Sequence, residues 1–75
     1  MSDDLTTIYS ERIRDMRQAR GMSLRELGAR AGITPSYAHD IENGRREPSL
    51  TTFIAIARAL GCSAAYLLGE SESAK

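Results

Sequence analysis

One cysteine, Cys62, and one histidine, His39, are all that this chain of 75 residues offers to thiol or soft-metal chemistry. A single thiol forms no internal disulfide, and one Cys far from one His is not a zinc site. No apolar run approaches the ~20 residues that a membrane helix needs. The opening Met-Ser-Asp-Asp is acidic where a secretory signal is basic, and no apolar stretch of signal type follows it. A cytoplasmic, non-membrane protein is therefore expected. There is no Gly-rich phosphate loop, no nucleophile–base pair and no metal-ligand cluster, so neither an enzyme nor a cofactor is expected. Linkers, internal repeats, low-complexity tracts and alternating strand patterns are missing too. Net charge is also lacking, with ten basic side chains against ten acidic ones.

The length allows one domain, and a chain this short buries roughly 60% of its unfolded surface. Apolar content is ordinary at 41%, so stability has to come from helix packing. The neutral total conceals an uneven distribution. Asp3, Asp4, Glu70 and Glu72 lie in the two ends, while residues 12–58 hold nine arginines against five carboxylates, a net of +4. A planar guanidinium suits phosphate, although a mixed-charge solvated surface fits the same numbers.

Punctuation divides the chain into five helices. Gly21, Gly32, Gly44, Gly61 and Gly69 each follow a run of helical character. Ser23-Leu-Arg-Glu26 reads as a capping box. Thr34-Pro35 sets an N-cap before a proline at the first helical position, and Ser49 and Ser63 stand where the last two helices begin. The expected helices are Leu5–Arg20, Leu24–Ala31, Pro35–Asn43, Leu50–Leu60 and Ala64–Leu68. Apolar residues recur at helical spacing: Ile13 and Met16; Leu24, Leu27 and Ala31; Ala38 and Ile41; Phe53, Ile54, Ala57 and Leu60; Leu67 and Leu68. Residues 1–7 are expected to be a partly disordered tail and residues 70–75 a disordered one, around a domain of residues 8–69.

The informative stretch is Ser23–Arg46, SLRELGARAGITPSYAHDIENGRR. Two short helices are joined there by Gly32-Ile33-Thr34 alone, which forces a steep crossing. Gly28 sits inside the first of them, where glycine costs ~1 kcal/mol against alanine. Close approach of the second helix is the expected reason. On that second helix Ala38 and Ile41 point inward, while Ser36, His39, Asp40 and Asn43 share the opposite stripe. A short polar stripe of this kind fits the DNA major groove, which admits an α-helix.

SLRELGARAGIT, SYAHDIENGRREPS and IARALGCSAAYLL together resemble the Cro/C1-type (Xre-like) helix-turn-helix family of phage repressors. The resemblance covers about Ile8 to Gly69. It implies an all-α, five-helix, lambda-repressor-like DNA-binding domain with the helix-turn-helix in helices 2 and 3. It implies base contacts from Pro35, Ser36, His39 and Asp40. Phosphate contacts fall to Ser23, Tyr37, Asn43, Arg45 and Arg46, and Arg25 beside the helix 2 cap is a weaker candidate. Arg17 and Glu42 match a partly buried ion pair. Many relatives carry glutamine, lysine or arginine at the base-reading positions, where this chain has proline, serine, histidine and aspartate.

His39 suits donation to guanine N7 or O6, and Asp40 suits acceptance from cytosine N4. Each also has a plain reading as a solvated helical residue. Tyr66 and Leu67 on the last helix are either core or dimer surface, and part of that helix is expected to meet its twin. The reading is a sequence-specific transcriptional regulator, a repressor that binds a pseudo-palindromic operator in double-stranded DNA as a homodimer. The alternative is an antitoxin that binds a protein toxin and its own promoter. A third reading is a helix-turn-helix kept only for protein interaction. A toxin or an antirepressor is the protein partner these readings allow.

Overall fold

The computed structural model describes residues 2–72, with side chains from Leu5 onward, and among these it contains helices and no strand. The helices are α1 (Ser2–Ala19), α2 (Leu24–Ala31), α3 (Pro35–Glu42), α4 (Leu50–Leu60) and α5 (Ala64–Leu67). Four of the starts follow from side-chain chemistry. The hydroxyls of Ser23, Thr34, Ser49 and Ser63 accept from the backbone N–H three residues on, each replacing a partner that a helix start lacks. α2 and α4 end on left-handed glycines, Gly32 and Gly61.

α1 begins at Ser2, three residues earlier than the Leu5 expected. From Thr6 onward it packs against the rest of the chain. The Thr6 methyl lies 3.6 Å from where a Cβ on Gly44 would stand, and the Ile8 side chain comes within 3.1 Å of the same point on Gly69. The expectation for residues 73–75 lies outside the described residues.

Every helix sends at least one large side chain to full burial: Ile13, Leu27, Ile41, Ile56, Leu60 and Leu67. Each such side chain contributes about 1.5–3 kcal/mol over its exposed state. On α4 the buried face is Phe53, Ile56, Ala57 and Leu60, the i, i+3, i+4, i+7 stripe. Ile54, expected inside, is only half-buried, and Ile56 takes its place. Tyr9 joins the core edge-on to Phe53, with ring centroids 5.6 Å apart. Cys62 is half-buried, and burial pushes its thiol up against the opposing pull of the Arg20 guanidinium.

α1 does more than cover the core. Its arginines reach the carbonyl ends of three other helices, where backbone acceptors have no intrahelical partner. Arg14 donates to the Glu42 carbonyl at the end of α3 (2.8 Å). Arg20 donates to the Leu60 carbonyl at the end of α4 (2.6 Å). Arg12 donates to the Tyr66 carbonyl in α5 (2.9 Å) and stacks over the Tyr66 ring. Cations at helix C-termini also complement the helix dipole.

Arg17 makes the strongest of these ties. Its Nε and Nη2 donate to the two carboxylate oxygens of Glu42 at 2.6 and 3.1 Å, and its Nη1 donates to the Met22 carbonyl at 2.8 Å. The Glu42 side chain is only 4% exposed. Two parallel bonds from one guanidinium are the form in which such a pair is strong. Breaking a buried pair from one side leaves an uncompensated charge. Arg17→Ala should therefore cost about 3–5 kcal/mol in denaturant unfolding. Replacing both partners with apolar residues of similar volume should recover much of that loss. Equal losses in the single and the double variant would show that the pair's charge is not what Arg17 supplies.

Candidate nucleic-acid interface

The junction of α2 and α3 is fixed by backbone geometry. Gly32 takes φ 75°, the left-handed conformation that favours glycine. The Ile33 N–H then donates back to the Gly28 carbonyl at 2.9 Å. A Cβ on Gly28 would lie 2.6 Å from the Ile33 carbonyl oxygen and 3.3 Å from the Pro35 nitrogen. Backbone atoms cannot rotate away as a side chain can, so this helix packing requires glycine.

At the start of α2, Ser23 Oγ accepts from the Glu26 N–H, and the Ser23 N–H donates to Glu26 Oε1, both at 3.0 Å. The Ser23 hydroxyl proton is left over for a further acceptor. α3 then presents Pro35, Ser36, His39 and Asn43 to solvent, with Asp40 half-buried among them. Ala38 and Ile41 are buried on the other side, as the apolar stripe required. At the N-terminus of α3, Thr34 Oγ1 accepts from the Tyr37 N–H at 3.0 Å.

The flank of α3 carries the cations. Arg45 and Arg46 are exposed in the segment after Gly44, and Arg25 is exposed near the start of α2. Arg46 lies over the Tyr37 ring, its guanidinium carbon 4.2 Å from the centroid. An exposed cation–π contact is worth about 0.5–1 kcal/mol, enough to bias a long side chain toward one orientation. The Tyr37 hydroxyl donates to the Glu47 carbonyl at 3.5 Å, a long contact that ties the ring to the same segment.

One expected site residue needs correction. Leu67 has no exposed surface; it is a core residue and offers nothing to a twin. Asn43, expected to touch phosphate, has both amide hydrogens engaged within the chain. Its Nδ2 lies 2.9 Å from the His39 carbonyl and 3.0 Å from His39 Nε2. In this arrangement its side chain leaves an acceptor oxygen to solvent. The structure brings Pro35, Ser36, His39 and Asp40 onto one helix, with Ser23, Arg25, Tyr37, Arg45 and Arg46 on α2, α3 and the segment after α3.

Apart from the Arg17–Glu42 pair, the sequence reading missed the backbone ties that hold α3 in place. Each of its last four carbonyls finds a donor. His39 receives Asn43, Asp40 receives the Arg45 N–H (2.9 Å), Ile41 receives Ser10 Oγ (2.7 Å), and Glu42 receives Arg14. Ser10, Arg14 and Arg17 stand at i, i+4 and i+7 on α1, so they form one polar stripe, with Ser10 buried and both arginines half-buried. That spacing was the available signal. Among the described residues, no three His, Cys, Asp or Glu side chains cluster closely enough to hold a metal. No helix there is long and apolar enough to cross a membrane.

The profile of the helix-turn-helix family HTH_3 matches residues 13–67. An uncharacterized HTH-type transcriptional regulator of Sinorhizobium fredii, y4dL, is 45% identical over 55 residues, covering 73% of this chain and 28% of its own length. The restriction-modification controller protein C.AhdI of Aeromonas hydrophila superposes with a TM-score of 0.81 at 30% identity, over 89% of this chain and 98% of that one. The P22 c2 repressor, solved in complex with a synthetic operator, gives a TM-score of 0.80 at 30% identity, over 85% of this chain and 97% of that one. The chain spans less than half the length of the first curated relatives it matches.

Two changes test this geometry. Gly28→Ala gains about 1 kcal/mol of helix propensity but forces a backbone collision, for which overpacking costs of about 1–3 kcal/mol are usual. A net loss of stability is expected in thermal unfolding; a gain would show that the α2–α3 junction can yield. The second change is Glu26→Gln. The Glu26 carboxyl is held below its ordinary range, chiefly by the Ser23 backbone N–H. A carboxyl lowered on folding stabilises above its unfolded pKa, and that contribution fades as pH falls through the folded value. Wild type and Glu26→Gln should therefore differ near neutrality and converge in acid.

Proposed function

This chain belongs to the Cro/C1-like helix-turn-helix family of DNA-binding transcriptional regulators, which are not enzymes, and from that premise we propose that it represses transcription by binding a pseudo-palindromic operator as a homodimer. The observation that carries the reading is the exposed face of α3. It has a donor-capable imidazole at His39, an acceptor at Asp40 and a short hydroxyl at Ser36, all on a helix whose far end is tied to α1. A rigid helix with short polar side chains can enter a major groove and meet base edges. Pro35, Ser36, His39 and Asp40 face the bases in this reading.

Phosphates are held by Ser23, Arg25, Tyr37, Arg45 and Arg46. These contacts set register without reading sequence. Arg46 reaches its phosphate from the Tyr37 ring, so less of its freedom is lost on binding. Repression follows from occupancy of the promoter, in the cytoplasm.

The twin fits exposed apolar surface on α4 and the neighbouring turn. Leu50 is 78% exposed. It stands at the rim of a hollow of about 200 Å³ whose other walls include Tyr9, Pro48, Phe53 and Leu68. With Leu67 in the core, Tyr66 is the large side chain of α5 that keeps some exposed surface for the dimer, alongside half-buried Ala64 and Ala65. Two copies would place their α3 helices in successive major grooves, one helical turn or about 34–36 Å apart.

Selection from a randomised duplex library, followed by titration at several salt concentrations, tests the proposal. An inverted repeat bound by two chains, with Kd of about 10⁻⁸–10⁻¹¹ M, is expected. Arg45→Ala should weaken all sequences alike and reduce the salt slope by about one. His39→Ala should instead relax the preference at one position in each half-site. If no sequence is enriched, the operator reading is wrong for this chain, and a protein partner such as a toxin becomes the object of search.

A further inference from the structure

The contacts between Asn43 and His39 determine more than the local shape of α3. A side-chain amide has two N–H donors on nitrogen and a pure acceptor on oxygen, and a neutral imidazole has one nitrogen of each kind. Asn43 Nδ2 stands 2.9 Å from the His39 backbone carbonyl, itself only an acceptor. The reversed amide would set oxygen against oxygen at that distance, so the carbonyl fixes which end of the amide faces it. The second Nδ2 hydrogen then points at His39 Nε2, 3.0 Å away. A donor facing Nε2 requires a lone pair there, and the ring proton must reside on Nδ1.

We infer that Asn43 is a positioning residue that sets base preference by locking His39 in its Nδ1–H tautomer. The chain of causes runs from a backbone carbonyl to an amide, from the amide to a ring nitrogen, and from that nitrogen to the edge of a base. This rests on the reading of α3 as the base-facing helix. In the locked form, Nδ1 is the donor of an exposed ring that makes no other hydrogen bond among the described residues. It selects a base-edge acceptor, for which guanine N7 and O6 are the paired choice in the major groove. Asp40, the next residue, accepts only and selects a donor such as cytosine N4. The opposite tautomer would present Nδ1 as an acceptor and reverse the His39 preference while leaving the fold and the phosphate contacts unchanged.

The tautomer can be measured without DNA. In the full ¹⁵N-labelled chain with the imidazole neutral, long-range proton–nitrogen correlation distinguishes a protonated Nδ1 from a protonated Nε2. Wild type should show Nδ1–H. Asn43→Ala removes the donor facing Nε2, so its ring should return to the Nε2–H form that a free neutral imidazole favours. Nε2–H in wild type, or no change in Asn43→Ala, overturns the inference whether or not the chain binds DNA.

The second measurement is on the selected operator. Asn43→Ala should lose about tenfold discrimination at the position His39 reads. The same change made in a His39→Ala background should cost nothing further at that position. A loss spread evenly over all sequences would mean that Asn43 acts as a helix cap alone, which also overturns the inference. Absence of any preferred operator, with the Nδ1–H form present, would instead remove the base-reading proposal and leave the tautomer lock standing.

Discussion

A helix ends with carbonyls that have no partner, and a small helical domain must find donors for all of them. That requirement organises this molecule. α2 meets it within its own chain, through a left-handed glycine. α3, α4 and α5 draw on α1, whose Ser10, Arg12, Arg14 and Arg20 donate to carbonyls at or near their ends. The Arg17–Glu42 pair binds the same junction from the side, with a carboxylate almost withdrawn from water. The first helix is therefore both a wall of the core and a set of caps. The orientation of α3 is determined at its far end by these groups of α1.

This division changes the meaning of the charge distribution. Nine arginines in a neutral chain suggest a basic face, yet Arg12, Arg14, Arg17 and Arg20 are occupied inside the protein. The arginines outside that set are Arg25 and Arg30 on α2, Arg45 and Arg46 after α3, and Arg58 on α4, all exposed. A strong nonspecific field is not required if each remaining guanidinium is well placed. Arg46 on the Tyr37 ring is one so placed.

Local chemistry made much of this legible in advance. Hydroxyl caps, a proline at the start of α3 and glycine stops act over three or four residues, so four of the five helices were located closely. Gly28 in mid-helix pointed to a close approach, and a backbone oxygen 2.6 Å from an absent Cβ is that approach. Long-range geometry was not legible. Whether Ile54 or Ile56 turns inward depends on the rotation of α4 about its axis, which neighbouring helices set. Leu67 looked available because apolar residues crowd the end of the chain, but α5 is short and needs its leucine for the core. Ser10 and Arg14 drew no reading of their own because their partners are carbonyls about thirty residues away, which leave no mark in the sequence.

The separation between the stripe that holds α3 and the stripe that faces outward has a consequence for descent. Ser36, His39 and Asp40 contribute no bond to the ties between α1 and α3, and Ser10, Arg14 and Arg17 stand away from the exposed face. Mutations can thus accumulate on the outward stripe without passing through misfolded intermediates. Asn43 belongs to both sets, closing the end of the helix while constraining the ring of His39. Lineages built on this scaffold are free to diverge at three positions and are held back at the fourth, where a new vocabulary and a sound fold must be acquired in the same step.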